Sequence, residues 1–113
     1  MGAVTTQVAD NTAESRYEIT VDGKVAGYVA YRRSGDRVAL IHTEVFGGYE
    51  GQGIGGKLAS GALDDIRAAG LSVAPVCPFI TRFIRKRGDE YLPLVPEEYR
   101  AWVRGDDERP PRG

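Results

Sequence analysis

The chain has one cysteine, Cys77, and one histidine, His42. One thiol excludes an internal disulfide framework and an all-cysteine zinc site, and a lone histidine leaves little else to hold a transition metal. An excess of positive charge is also missing: 15 Lys and Arg stand against 16 Asp and Glu, a net charge of −1. No global basic field therefore exists to concentrate nucleic acid or an anionic membrane. No apolar run approaches the roughly 20 residues of a membrane span, and residues 1–16 lack the apolar centre of a signal peptide. These absences lead us to expect a cytoplasmic protein, a monomer or weak dimer, with no metal, nucleic-acid or membrane partner. Met1-Gly2-Ala3-Val4-Thr5-Thr6 fits a loose myristoylation pattern and Arg104-Gly105-Asp106 is a three-residue match. Both patterns are too permissive to carry an argument.

What is present is enough for one compact domain: 113 residues, 42% of them hydrophobic, support one core and not two. Residues 1–15 are polar and aperiodic and read as a flexible lead-in, with the domain over 16–103 and a disordered tail over 104–113. Tyr17-Glu18-Ile19-Thr20-Val21 alternates, Asp22-Gly23 is a hairpin turn, and Val25 to Tyr31 suits a second strand. After Ser34-Gly35-Asp36 a third strand runs from Arg37 to Val45, completing a three-stranded meander. From Ile54 the period changes to 3.6, with Ile54, Leu58, Ala62, Ile66 and Ala69 on one face. Gly70 stops this helix, and Leu71 to Val76 returns as a strand parallel to the third, closing a βαβ unit. Pro78 opens a second helix with Phe79, Ile80, Phe83 and Ile84 inward and Arg82, Arg85, Lys86 and Arg87 outward. Pro96 to Val103 is one further short helix.

The strand-to-helix connection of that unit, Glu50-Gly51-Gln52-Gly53-Ile54-Gly55-Gly56-Lys57, is the most specific feature. Successive backbone N–H groups at a helix N-terminus hold a phosphate without a side chain. Gly51 to Lys57 nearly matches a P-loop, but Leu58 stands where a magnesium-binding serine or threonine is needed. Gly51-x-Gly53-x-x-Gly56 also satisfies the dinucleotide fingerprint, yet a meander precedes it and no acid follows about 20 residues later to bind a ribose. A ligand-free tight turn is the plain alternative.

In its context after a meander, Val45 to Gly55 resembles the pyrophosphate loop of the GNAT acetyltransferase superfamily, with Gly53 and Gly55 at the two glycine positions. Glu50 departs from the arginine or glutamine usual there. Thr43-Glu44-Val45, the glycine loop and Val73-Ala74-Pro75-Val76-Cys77-Pro78-Phe79 with Tyr91 are similar to a short YjdJ-type branch, over residues 17 to 95. Arg87-Gly88-Asp89-Glu90-Tyr91 stands in place of that branch's His-Pro-Glu-Tyr-like region. The resemblance implies an α/β (α+β) minimal GNAT-like fold, mostly antiparallel, with a central βαβ unit and flanking helices. It also implies acetyl-CoA as cofactor and an amine acceptor, small molecule or peptide. The loop from Glu50 to Lys57 would take the pyrophosphate, and the backbone of Val45 and Phe46 the pantetheine arm.

Acetyl transfer to an amine needs a base, oxyanion donors and an acid for the leaving thiolate. Cys77 sits between a strand and the proline that opens a helix, where the helix end favours thiolate. It reads as an acyl-accepting nucleophile, a pocket wall or a core thiol. His42 and Glu44, two apart on a strand, share a face and form a candidate base. Tyr91 is a candidate acid, and packing is the alternative for it. The basic face of the second helix suits a cofactor phosphate or simple solvation. A non-catalytic acyl-CoA-binding module and an interaction domain built on the basic helix remain the functional alternatives.

Overall fold

A computed structural model describes residues 5–105. Five strands form one sheet in sequential order: β1 Thr6–Asn11, β2 Arg16–Val21, β3 Lys24–Ser34, β4 Arg37–Val45 and β5 Ser72–Pro75. The first four are antiparallel, and β5 joins β4 in parallel. Helix α1, Ile54–Ala68, makes the crossover from β4 to β5. Helix α2, Pro78–Arg87, two 3-10 turns at Gly88–Glu90 and Leu92–Leu94, and α3, Glu97–Arg104, complete the described chain. The architecture is mixed α/β, a mostly antiparallel sheet with a central βαβ unit and flanking helices, as expected. No helix among the described residues is long and apolar enough to cross a membrane.

The amphipathic period of α1 explains its docking. Ile54, Leu58, Ala59, Ala62, Leu63 and Ile66 are buried on the sheet against Tyr17, Ile19, Val29 and Leu40, while Ala69, expected on that face, is an exposed C-cap residue. Each fully buried aliphatic side chain contributes about 1.5–3 kcal/mol of transfer free energy. Gly61 admits β1: a Cβ there would lie 2.7 Å from Val8. Helix α2 lies alongside α1, with the Phe79 ring where a Gly55 Cβ would approach to 2.9 Å.

Three expectations change. Residues 6–11, read as part of a flexible lead-in, form an edge strand in full register with β2. Its sequence has one apolar anchor, Val8, so backbone pairing rather than hydrophobic alternation defines it. The meander accordingly has four strands. Arg104, read as the start of a disordered tail, ends α3, and Gly105 caps it with φ +85°; the myristoylation tract through Val4, and the tail from Asp106, lie outside the described residues.

Candidate active site

Two irregularities in β4 create the site. The first is a bulge: Tyr31 pairs with Leu40 and Ala30 with His42, leaving Ile41 as the extra residue. A bulge rotates the following side chains to the other face. Leu40 and Thr43 therefore face α1, Thr43 through its register with Val29 and Tyr17, while His42 and Glu44 face away. The second is a parting of strands. β4 and β5 pair only from Arg37 to Leu40, and the Leu40 carbonyl then accepts both the Val76 and the Cys77 N–H, at 3.1 and 2.9 Å. Beyond that carbonyl the outer edge of β4, from Ile41 to Val45, has no strand neighbour among the described residues.

Cys77 stands at this vertex. It is the N-cap of α2 in extended conformation, with Pro78 at N1, and only 4% exposed. Its thiol lies 3.3 Å from the Thr43 hydroxyl across the opening. Sequence reasoning missed Thr43, because a partner 34 residues away on the far strand leaves no local signal.

The glycine loop lies between the open end of β4 and α1. Gly48, Gly51 and Gly53 have φ of +96°, +81° and +73°, a region that L side chains avoid. Gly53 is the N-cap of α1, and no side chain caps the helix, so its first N–H groups are presented as anion donors. Glu50 folds back to accept the Gly48 N–H at 3.2 Å, and Gln52 donates to the Gly48 carbonyl at 3.1 Å. The carboxylate that departs from the expected pattern thus braces its own loop. Lys57 is exposed on the first turn of α1. Beside the loop, Phe79, Arg82, Phe83 and Lys86 line a cavity of about 200 Å³. The other two cations of the basic face are engaged: Arg85 donates to the Val103 carbonyl, and Arg87 pairs with Glu90 and covers Phe83.

His42 and Glu44 lie together on the open sheet face, as their spacing required, and both are exposed. Tyr28 organises them. Its hydroxyl donates to Glu44 at 2.9 Å, and its ring centroid is 6.2 Å from His42 and 6.1 Å from Phe46. The bond to Glu44, with a smaller burial effect, raises the Tyr28 pKa. Arg16 covers the same ring and is paired with Glu18, whose pKa is lowered by its bonds to Arg16 and Asn11. Glu44 has no cationic partner within salt-bridge distance among the described residues.

Tyr91 lies elsewhere. Its side chain is fully buried, its hydroxyl donates to Asp64 at 2.9 Å and meets the Ser60 hydroxyl at 3.0 Å, and both partners are on α1. Burial and the Asp64 carboxylate raise its pKa, against the opposing effect of the Ser60 bond.

Residues 16–94 match the family of GCN5-related N-acetyl-transferases. The chain belongs to that family. A crystal structure of nourseothricin acetyltransferase is similar at 19% identity and a TM-score of 0.41. The likeness covers 62% of this chain and 56% of that one. No curated protein matches the chain.

Proposed function

We propose that this protein is an acetyl-CoA-dependent N-acetyltransferase that passes the acetyl group to an amine through Cys77. The observation that carries the reading is the parting of β4 and β5 at Leu40, with the Cys77 thiol at the vertex 3.3 Å from Thr43. The residues suit the cofactor. Backbone donors at Gly53, Ile54, Gly55 and Gly56 match a pyrophosphate, with Gly51 shaping the turn and Lys57 adding charge. Arg82 and Lys86, beside Phe79 and Phe83, suit the adenosine end, and the free edge at Val45 and Phe46 suits the pantetheine amides.

Acetyl-CoA, when bound, supplies the activated acyl group. Cys77 attacks the acyl carbon through Sγ, its proton leaving with the departing thiolate, and holds the acetyl group as a thioester. Its burial keeps water from that thioester. The acceptor nitrogen, as the free amine, then forms the C–N bond as the bond to Cys77 Sγ breaks, and the proton that nitrogen sheds goes to Sγ, so that the Cys77 thiol returns. On the sheet face opposite Thr43, His42 and Glu44 take the ammonium proton as the cationic amine docks against the Tyr28 and Phe46 rings, and the free amine then passes the open edge of β4 to reach the thioester. Tyr91, its hydroxyl held by Asp64 and Ser60, anchors the 88–95 segment to α1 rather than protonating the thiolate.

The test is a thermal-shift and turnover assay with acetyl-CoA against a panel of amines, with mass spectrometry of the protein after acetyl-CoA alone. Stabilisation, turnover and one added acetyl group on Cys77 are expected. A fully active Cys77→Ala enzyme removes the covalent route. Stabilisation without turnover identifies a binding module, and no stabilisation removes acetyl-CoA.

A further inference from the structure

Apart from tyrosines and Cys77, Thr81 is the only buried polar residue among the described residues, 3% exposed. Its hydroxyl lies 2.9 Å from the Pro75 carbonyl and 3.0 Å from the Cys77 carbonyl. The hydroxyl has one proton and so serves one of them at a time. The Trp102 indole N–H supplies the missing donor, 2.8 Å from the Pro75 carbonyl and 3.1 Å from the Thr81 oxygen. The opposite side of the same segment is pinned by Leu40, whose carbonyl accepts the Val76 and Cys77 amides. Residues 75–77 are thus held from β4 on one side and from α2 and α3 on the other. Trp102 belongs to α3, outside the 16–94 stretch that matches the family.

We infer that Thr81 and Trp102 are positioning residues that set where the β5–α2 junction carries Cys77 in the cleft, so that α3 is a working part of the site. The inference rests on the proposed role of Cys77. The physical basis is the steep dependence of attack on placement: reacting atoms must approach to about 3–3.5 Å, and a shift of about 1 Å costs about 100-fold in rate. Thr81→Val keeps the shape of the side chain and leaves the Cys77 carbonyl without that donor. Trp102→Phe keeps a ring and removes the N–H to Pro75.

Both variants, with Thr81→Ser as the conservative control, are compared as full chains. Three quantities are read: melting temperature, Kd for coenzyme A, and the single-turnover rate of Cys77 acetylation at saturating acetyl-CoA. Acetylation is expected to slow about 10- to 100-fold in Thr81→Val, with Kd for coenzyme A within about twofold and Thr81→Ser restoring the rate. Trp102→Phe is expected to slow it in the same direction and stands in should Thr81→Val fail to fold. A folded Thr81→Val or Trp102→Phe acetylated at the wild-type rate overturns the inference. So does a rate that Thr81→Ser fails to restore. Failure of the wild-type protein to acetylate Cys77 overturns the underlying reading instead. In that case iodoacetamide alkylation of Cys77 still tests positioning: faster alkylation in the valine variant supports it, and an unchanged rate overturns it.

Discussion

Replacing Tyr91 with phenylalanine separates an anchor from a proton donor. The ring stays, so its burial against Phe83 and beneath Arg67 is retained. What is lost is one bond to a carboxylate and one to a hydroxyl. A bond to a charged group contributes about 1.5–3 kcal/mol and a neutral one about 0.5–1.5 kcal/mol. The Asp64 side chain is 57% exposed and also bound by Arg67 at 2.9 Å, so water replaces much of the first term. A net loss of about 1–2 kcal/mol follows, which for a domain near 100 residues lowers the melting temperature by about 4–16 °C. Calorimetry measures that shift, and steady-state turnover well below the transition measures kcat. An anchor predicts the lower melting temperature with kcat within about twofold. A general acid contributes about 100-fold or more, so an unchanged melting temperature with kcat reduced by that factor would refute the assignment.

Other perturbations have equally definite outcomes. Gly53→Ala meets no atom within 4 Å at its Cβ but must hold φ +73°, so about 1–2 kcal/mol of strain is expected, with weaker stabilisation by acetyl-CoA in a thermal-shift assay; an unchanged melting temperature contradicts it. Gly61→Ala drives its Cβ to 2.7 Å from the Val8 Cβ, and despite about 1 kcal/mol of helix propensity gained it should lower stability, with Val8→Gly, which removes that Cβ, recovering part of the loss in the same chain. If the double variant is no more stable than Gly61→Ala, β1 is not held where α1 places it. Burial and the bond to Asp10 push the Tyr31 pKa up to about 12. Because the folded value exceeds the unfolded one near 10, this contribution is complete below about pH 10 and lost as pH rises through about 12. Denaturant midpoints measured from pH 9 to 12 should fall more steeply for the wild type than for Tyr31→Phe.

Much of this protein is determined locally. The Asp22-Gly23 turn, the 3.6-residue period from Ile54, Gly70 after α1 and Pro78 at the start of α2 each specify their element through short-range sterics and hydrogen bonding, and all four stand in the structure. The glycine loop is legible for the same reason, since positive φ at Gly51 and Gly53 is a property of those residues. Pairings between distant segments are not legible in this way. Strand β1 exists because β2 offers it a ladder, and its own alternation is too weak to announce it. The spacing of His42 and Glu44 placed them on one face, but the bulge at Ile41 decided which face, and so turned Thr43 toward Cys77. Tyr91 is compatible in the sequence with acid and packing roles alike, and only the fold places its hydroxyl against Ser60 and Asp64. The motifs come from the chain alone; the meeting of Thr43 with Cys77, and of Trp102 with Thr81 and Pro75, comes from the packing that closes long loops.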